Sequence, residues 1–210
     1  MFISFMELPA AGVNSPASLI YQPETIIERT NPARLFPLAQ PLEVELGSGD
    51  GSFIVQWARL NPNRNFLAVE RLLGRLRKID RKGQRNALAN LRLLRMEAWY
   101  VLEYLLPPAS VSAVHIYFPD PWPKRKHRKN RLINAAFTET AARALAPQGV
   151  VYLRTDDADY FQQITAVFNG NPRFQSVETP RELSDVVTDF EREFHKRGVP
   201  TLSRGYQLGG

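Results

Sequence analysis

The sequence predicts an α/β fold: a mostly parallel central sheet with helices on both faces and an antiparallel strand at the C-terminal edge. Three observations predict it. Short apolar, β-branched runs alternate with longer stretches at helical spacing from Pro41 onward, which implies right-handed crossovers between parallel strands. A glycine-rich turn follows the first strand and opens a helix. The chain has 210 residues, 44% of them apolar, which is enough for one buried core.

The elements follow in order. Residues 1–28 are proline-punctuated and weakly periodic, and read as an arm of uncertain structure ahead of a single domain spanning 29–210. LEVEL (42–46) alternates as a strand, 47–51 form the turn, and SFIVQWARL (52–60) continues as a helix. NFLAVE (65–70) is a second strand and 71–89 a long basic helix. LRLLRM (91–96) is a third strand, and 98–106 a helix stopped by Pro107 and Pro108. SAVHIYF (112–118) is a fourth strand, followed by a basic, proline-rich loop over 119–129. From about Asn130 to Ala146, Leu132, Ile133, Ala136, Phe137, Ala141 and Leu145 recur at helical spacing. Gly149 precedes the strand VVYLRT (150–155), Asp157 opens another helix, and FQSVET (174–179) is a strand. The tail, 188–208, is expected to pair at the sheet edge.

Composition narrows the function. There is no cysteine, so disulfides and thiolate metal sites are excluded and a reducing, cytoplasmic setting is the simplest expectation. His115, His127 and His195 are too scattered to suggest a metal centre, and none is expected. No apolar run approaches a bilayer span, so no membrane partner is expected. The start, MFISFMELPA, carries Glu7 and lacks the basic opening of a signal peptide. Net charge is +6, but it is segregated: 71–95 carries +8 and 124–131 carries +6, leaving the rest at −8. Such segregation points to a polyanion, and nucleic acid is the first candidate.

The motifs lie just after the strands, where ligands bind in sheets of this kind. Glu45-Leu46-Gly47-Ser48-Gly49-Asp50-Gly51 lets a ligand approach the backbone, and Glu70, 19 residues after Gly51, is placed to accept from ribose hydroxyls. A dinucleotide would suit that pair, but Glu45 would repel a pyrophosphate and suits a ligand bearing an amino group and a sulfonium. Glu97 sits just past the third strand, either to bond an adenine amine or as a helix-start acid. Tyr117-Phe118-Pro119-Asp120-Pro121-Trp122-Pro123-Lys124-Arg125-Lys126-His127-Arg128-Lys129 is the decisive stretch. Prolines stiffen it, Asp120 sits at its tip, Trp122 can stack on a base and the basic run can neutralise phosphates. Thr155-Asp156 and Thr188-Asp189-Phe190-Glu191 are uninformative alone: Asp156 reads as a helix N-cap and Glu191 as a surface acid.

Together these blocks resemble the bacterial tRNA (guanine-N7)-methyltransferase family, whose fold is the Rossmann-like class I methyltransferase fold. ELGSGDG with Glu70 is similar to its cofactor loop, and YFPDPWPKRKHRKNRL to its signature. Arg29-Thr30-Asn31-Pro32, Thr155-Asp156 and Thr188–Glu191 match further blocks in order, so that the resemblance runs from about 29 to 200. It implies that Glu45, Gly47, Gly49, Gly51, Glu70, Glu97 and Asp120 hold or frame S-adenosyl-L-methionine, with Asp120 catalytic. It implies substrate contacts from Lys124, Asp156, Thr188, Asp189, Phe190 and Glu191. The RNA would meet Lys124, Arg125, Lys126, His127, Arg128 and Lys129. It also implies position 46 of the tRNA variable loop as the target. Two residues depart from the family pattern: Glu97 stands where Asp or Asn is frequent, and Asn130 where a basic residue is common.

Guanine N7 has an in-plane lone pair and no proton, so no general base is required, and alignment of the nucleophile with the methyl and its sulfur should dominate. Asp120 would orient the guanine and offset the positive charge that develops on it. Two rivals carry different chemistry. Methylation of an exocyclic amine usually goes with Asp/Asn-Pro-Pro-aromatic, whereas here Trp122 follows the single Pro121. A non-catalytic RNA-binding protein would not need Glu45, Glu70 and Asp120 together. Nothing in the sequence separates monomer from homodimer.

Overall fold

A computed structural model of the chain describes residues 18–209. The opening segment read against a signal peptide, and most of the expected arm, lie outside the described residues.

Eight strands form one sheet. In chain order they are β1 (Ile20–Tyr21), β2 (Leu42–Leu46), β3 (Asn65–Val69), β4 (Leu91–Leu94), β5 (Val111–Tyr117), β6 (Leu145–Thr155), β7 (Phe174–Val177) and β8 (Leu202–Leu208). Across the sheet the order is β1-β4-β3-β2-β5-β6-β8-β7. The first six strands pair in parallel, while β8 runs antiparallel to both β6 and β7. The C-terminal strand therefore has the expected direction but a different place. The edge belongs to β7, and β8 enters between it and β6, antiparallel to both. Gly205 of β8 permits the close fit there, since a Cβ would lie 2.8 Å from Val177 Cγ2. The first strand is also new: residues 18–21, within the expected arm, extend the other edge. Asp80 holds them there, accepting from Leu19 N at 2.8 Å and from Ser18 Oγ at 3.1 Å.

Two cores flank the sheet. One face carries α1 (Ile54–Leu60), α2 (Leu73–Arg85) and α6 (Arg181–Ser184), packed through Phe53, Ile54, Trp57, Leu76, Ile79 and Leu183. The other carries α3 (Ala98–Tyr100) with its continuation, α4 (Ala135–Ala144) and α5 (Ala158–Asn169), packed through Leu102, Phe137, Ile164 and Phe168. Helix α7 (Asp189–Lys196) precedes β8. Alternation along β2 sends Leu42, Val44 and Leu46 into the second core and leaves the acids Glu43 and Glu45 on the α1 side. Glu43 is satisfied there: it accepts from Trp57 Nε1 at 2.7 Å, lies 2.9 Å from His115 Nε2 and pairs with Arg64.

Three helices differ from their sequence-based spans for local reasons. The basic helix begins only at Leu73, because Glu70 accepts from Leu72 N, and it ends at Arg85, with Asn86 capping Lys82 O and Ala87 at φ +49°. The 98–106 stretch starts as α-helix and loosens into a π-helix over Val101–Leu105. The 130–146 helix is shorter still. Asn134 is its N-cap, accepting from Phe137 N at 3.1 Å, and residues 131–133 before it are not helical, Arg131 being extended and Leu132 at a bend. Ile133 is buried and Leu132 packs against the core, but from outside the helix.

Candidate active site

The sheet changes direction of growth between β2 and β5, and the carboxyl ends of β2, β3, β4 and β5 surround a cleft of about 520 Å³. That volume lies in the range of small-molecule sites, roughly 300–1,000 Å³.

The glycine loop supplies the floor. Gly47 sits at φ +80° and Gly51 at φ +78°. A Cβ on Gly47 would meet nothing within 4 Å, so its backbone is open to a ligand, whereas one on Gly51 would lie 2.9 Å from Ile79 Cγ1. Gly51 is thus required by the packing of α2, and Gly47 by the turn. Glu70 ties the loop to α2: one carboxylate oxygen accepts from Gly49 N at 3.0 Å and the other from Leu72 N at 2.8 Å. Each oxygen retains a lone pair for a further donor. Of the two readings of Glu97, the structure shows the helix-start acid: it caps α3, accepting from Tyr100 N at 3.0 Å, and it also lines the cleft.

Glu45 lies just behind this floor rather than in the lining. Its Oε2 is buried without a hydrogen-bond partner. Burial, reinforced by Asp50 and Glu70, pushes its carboxyl up to about 8, against the weaker pull of Ser48 and Arg154. A buried acid kept protonated beside a glycine loop is a group still waiting for a cationic or donor partner.

The opposite wall is the loop after β5. Phe118 and Trp122 both occupy the left-handed region, at φ +52° and +44°. Bulky residues seldom adopt it, and such strain gathers at functional sites. Between them Asp120 is exposed, and no described residue bonds its carboxylate. Trp122 is 37% exposed, with its ring edge-on to His127 at 5.9 Å. Phe118 stacks on Phe190 at 6.3 Å, which brings the start of α7 to the cleft.

The Thr188–Glu191 block divides in two. Thr188 is the N-cap of α7 and forms a capping box with Glu191, so both polar side chains turn inward. Glu191 is not the surface acid the sequence suggested. It is buried and pairs with Arg154 at 2.9 Å, because α7 packs that turn onto the sheet. Asp189 and Phe190 are the exposed members. Asp156 does not cap α5 either; Asp157 does, accepting from Tyr160 N at 2.7 Å, and Asp156 lies outside the cleft lining.

The basic run is less uniform than its composition. Lys124, Arg125, Lys126 and Lys129 are exposed and make no ion pair among the described residues, but Arg128 pairs with Asp159 at 2.9 Å. Arg131, counted with them by sequence, is buried. Across the cleft, Arg71 and Arg75 line its mouth, and Arg77, Lys78, Arg81 and Arg85 are exposed along α2. Of the basic residues, Arg71 and Arg75 line the cleft itself, while the 124–129 run lies in sequence between two other lining residues, Trp122 and Asn130.

Two buried arginines escaped the sequence reading. Arg154 donates to Glu191 Oε2 and Val186 O at 2.9 Å, bonds Leu183 O, and lies 4.4 Å over the Tyr117 ring. An arginine inside the apolar run VVYLRT is itself a signal, since a buried guanidinium needs an acid partner.

Comparison with known proteins places the chain in a family. A family model described as "Putative methyltransferase" matches residues 39–203. A tRNA (guanine-N(7)-)-methyltransferase of Chromobacterium violaceum is 36% identical over 184 residues, covering 85% of this chain and 78% of that one. One from Sodalis glossinidius is 35% identical, covering 78% and 71%. One from Syntrophotalea carbinolica is 38% identical, and there the chain spans 63% of the relative's length. Among solved structures, the 16S rRNA methyltransferase KamB superposes with a TM-score of 0.59 at 17% identity, covering 81% of this chain and 89% of that one, a likeness of fold alone.

Proposed function

The chain belongs to the tRNA (guanine-N(7)-)-methyltransferase family, and from that membership we propose that its cleft holds S-adenosyl-L-methionine against a guanine of tRNA, whose N7 it methylates. The observation that carries the site assignment is the strained loop that presents Asp120 across from the glycine floor.

The residues present fit the cofactor. Gly47 offers open backbone, Glu70 has lone pairs to spare for a ribose, Glu97 lines the adenine end, and Glu45 has an unpartnered buried oxygen. The cofactor supplies an electrophilic methyl on a sulfonium. The protein's own task is positional, because N7 already carries its lone pair. Trp122 and Phe190 are the exposed rings beside Asp120 on which a base can stack. The Asp120 carboxylate orients the guanine and offsets the positive charge left on its imidazole ring. By the family resemblance Lys124, Asp189 and Phe190 border the incoming nucleotide, whereas Asp156, outside the cleft lining, and the inward-turned Thr188 and Glu191 do not face it. Lys124 to Lys129 and the outer face of α2 meet the phosphates on either side of the opening. The target within tRNA is position 46, the reaction needs no metal, and it takes place in the cytoplasm; the family signature supports the first and the cysteine-free composition the last.

The test is methyl transfer from labelled S-adenosyl-L-methionine to unmodified tRNA, followed by mapping of the product base. Label at N7 of a guanine is the expected result. Label on an exocyclic amine, or no turnover on any tRNA, would overturn the reading.

A further inference from the structure

Residues 119–123 are nearly unanchored by their own chemistry. Pro119, Pro121 and Pro123 have no N–H to donate. Among the described residues a single hydrogen bond reaches this segment from the rest of the protein: Arg131 Nε donates to Pro121 O at 2.7 Å. The same guanidinium donates to Gln163 Oε1 at 2.8 Å and to Asp159 Oδ2 at 2.6 Å, and lies 4.7 Å over the ring of Tyr160. All three of its nitrogens are thus engaged, two of them by α5, and Tyr160 of the same helix covers one face of the plane. The Arg131 side chain is 1% exposed. Tyr160 in turn is fixed by Ile133 N, which donates to its hydroxyl at 3.0 Å.

We infer that Arg131 is a positioning residue for methyl transfer: it braces the Pro121 carbonyl, next to Asp120, against helix α5, and it does not belong to the RNA-facing charge of the run it ends. A buried guanidinium with its donors committed has no face to offer a phosphate. A loop held in the left-handed region at Phe118 and Trp122 needs an external strut to keep that conformation. Arginine is the residue for this task, because its planar fork reaches three acceptors in fixed directions and an ammonium does not. The inference rests on the function proposed above, since it assigns Arg131 to the turnover of that site.

Arg131→Lys tests it, because the charge is kept and the fork is lost. Displacing the Asp120 loop by a fraction of an ångström is expected to cut kcat about tenfold or more. The Kd for tRNA, the salt dependence of that Kd and the affinity for S-adenosyl-L-methionine are expected to stay within about twofold of the wild type. A kcat within about twofold of wild type would overturn the inference, as would weaker tRNA binding with a shallower salt dependence, which would make Arg131 a phosphate contact. A purely structural role would lower the melting temperature and leave kcat of the folded enzyme alone. If Arg131→Lys does not fold, Gln163→Leu removes one α5 end of the brace instead and leaves the Arg128–Asp159 pair in place. It is expected to lower kcat by about threefold or more with tRNA affinity retained, and an unchanged kcat there overturns the inference too. Wild-type turnover in the same assay separates failure of this inference from failure of the functional reading: without it, the functional reading has failed first.

Discussion

At the scale of single residues, Glu45 and Glu43 sit two apart on one strand with opposite electrostatic fates. Burial pushes the Glu43 carboxyl up as well, but His115, Trp57 and Arg64 outweigh it and hold it at about 2. Glu45 lacks such partners and stays at about 8. The signs follow. Glu43 contributes stability above its unfolded value near 4.5 that is lost as pH falls toward 2. Glu45 stabilises the fold most below 4.5, and that contribution is lost as pH rises toward 8. One proton's difference gives a slope of about 1.4 kcal/mol per pH unit. Glu45→Gln should therefore remove the decline in unfolding free energy between pH 5 and 8, measured by denaturant titration; a decline equal to that of wild type would refute the buried, protonated state. Asp120→Ala should lower turnover by roughly 10²–10³-fold with tRNA affinity nearly intact, as removal of one preorganised transition-state group does elsewhere. Activity close to wild type would remove Asp120 from the mechanism. The places of Asp120, Glu70 and Gly47 at the cleft were legible in sequence, because each follows directly on a strand end. Arg154 was signalled only by the apolar run around it, and Arg131 not at all, since one more cation in a basic run carries no mark of the acid that buries it.

Among the elements, α7 shows how a functional block is held. Its T-x-x-E opening is a capping box legible in principle from Thr188 and Glu191 alone, and the structure adds Arg154 beneath it. Thr188→Ala should cost about 1 kcal/mol of stability through the lost cap. Arg154→Leu should cost more, about 3–5 kcal/mol, by leaving Glu191 buried without its counter-charge. Chemical denaturation of the two variants measures both, and equal costs would contradict the buried pair. The alternation of strands and helices was readable throughout, because each element's apolar face repeats with its own period. The 131–133 segment shows the limit. Leu132 and Ile133 fit a helical spacing, yet the burial of Arg131 and the Asn134 cap keep them out of the helix, and the Arg131 partner lies 28 positions away on α5.

For the whole molecule, the charge pattern becomes a surface. Arg71 and Arg75 line the cleft, and the 124–129 run, some fifty residues on, is bracketed by the lining residues Trp122 and Asn130. Affinity for tRNA should fall with salt at a log–log slope of about −0.7 to −0.9 per phosphate neutralised. Reversing Arg125 and Lys126 to Glu should flatten that slope and raise KM for tRNA, with cofactor affinity unchanged. These two are the right choice because Arg128 is already engaged with Asp159. A slope indifferent to the double reversal would place the RNA elsewhere. The class of fold was plain from the sequence, but the order β6-β8-β7 was not, since it depends on pairings between strands far apart in the chain.

That order bears on how the protein is made. A chain emerging from the ribosome completes β6 and β7 well before β8 exists, and β7 has no neighbour in the sheet except β8. Until the last strand is synthesised, the nascent protein carries an open edge along β6, one of the longest strands, and an unpaired β7 waiting beside it. Exposed edges of this kind invite pairing with other chains. The zipping of β8 between them is a late, non-local event, so the cleft between β2 and β5 can take shape on a translation intermediate whose far flank is still unfinished.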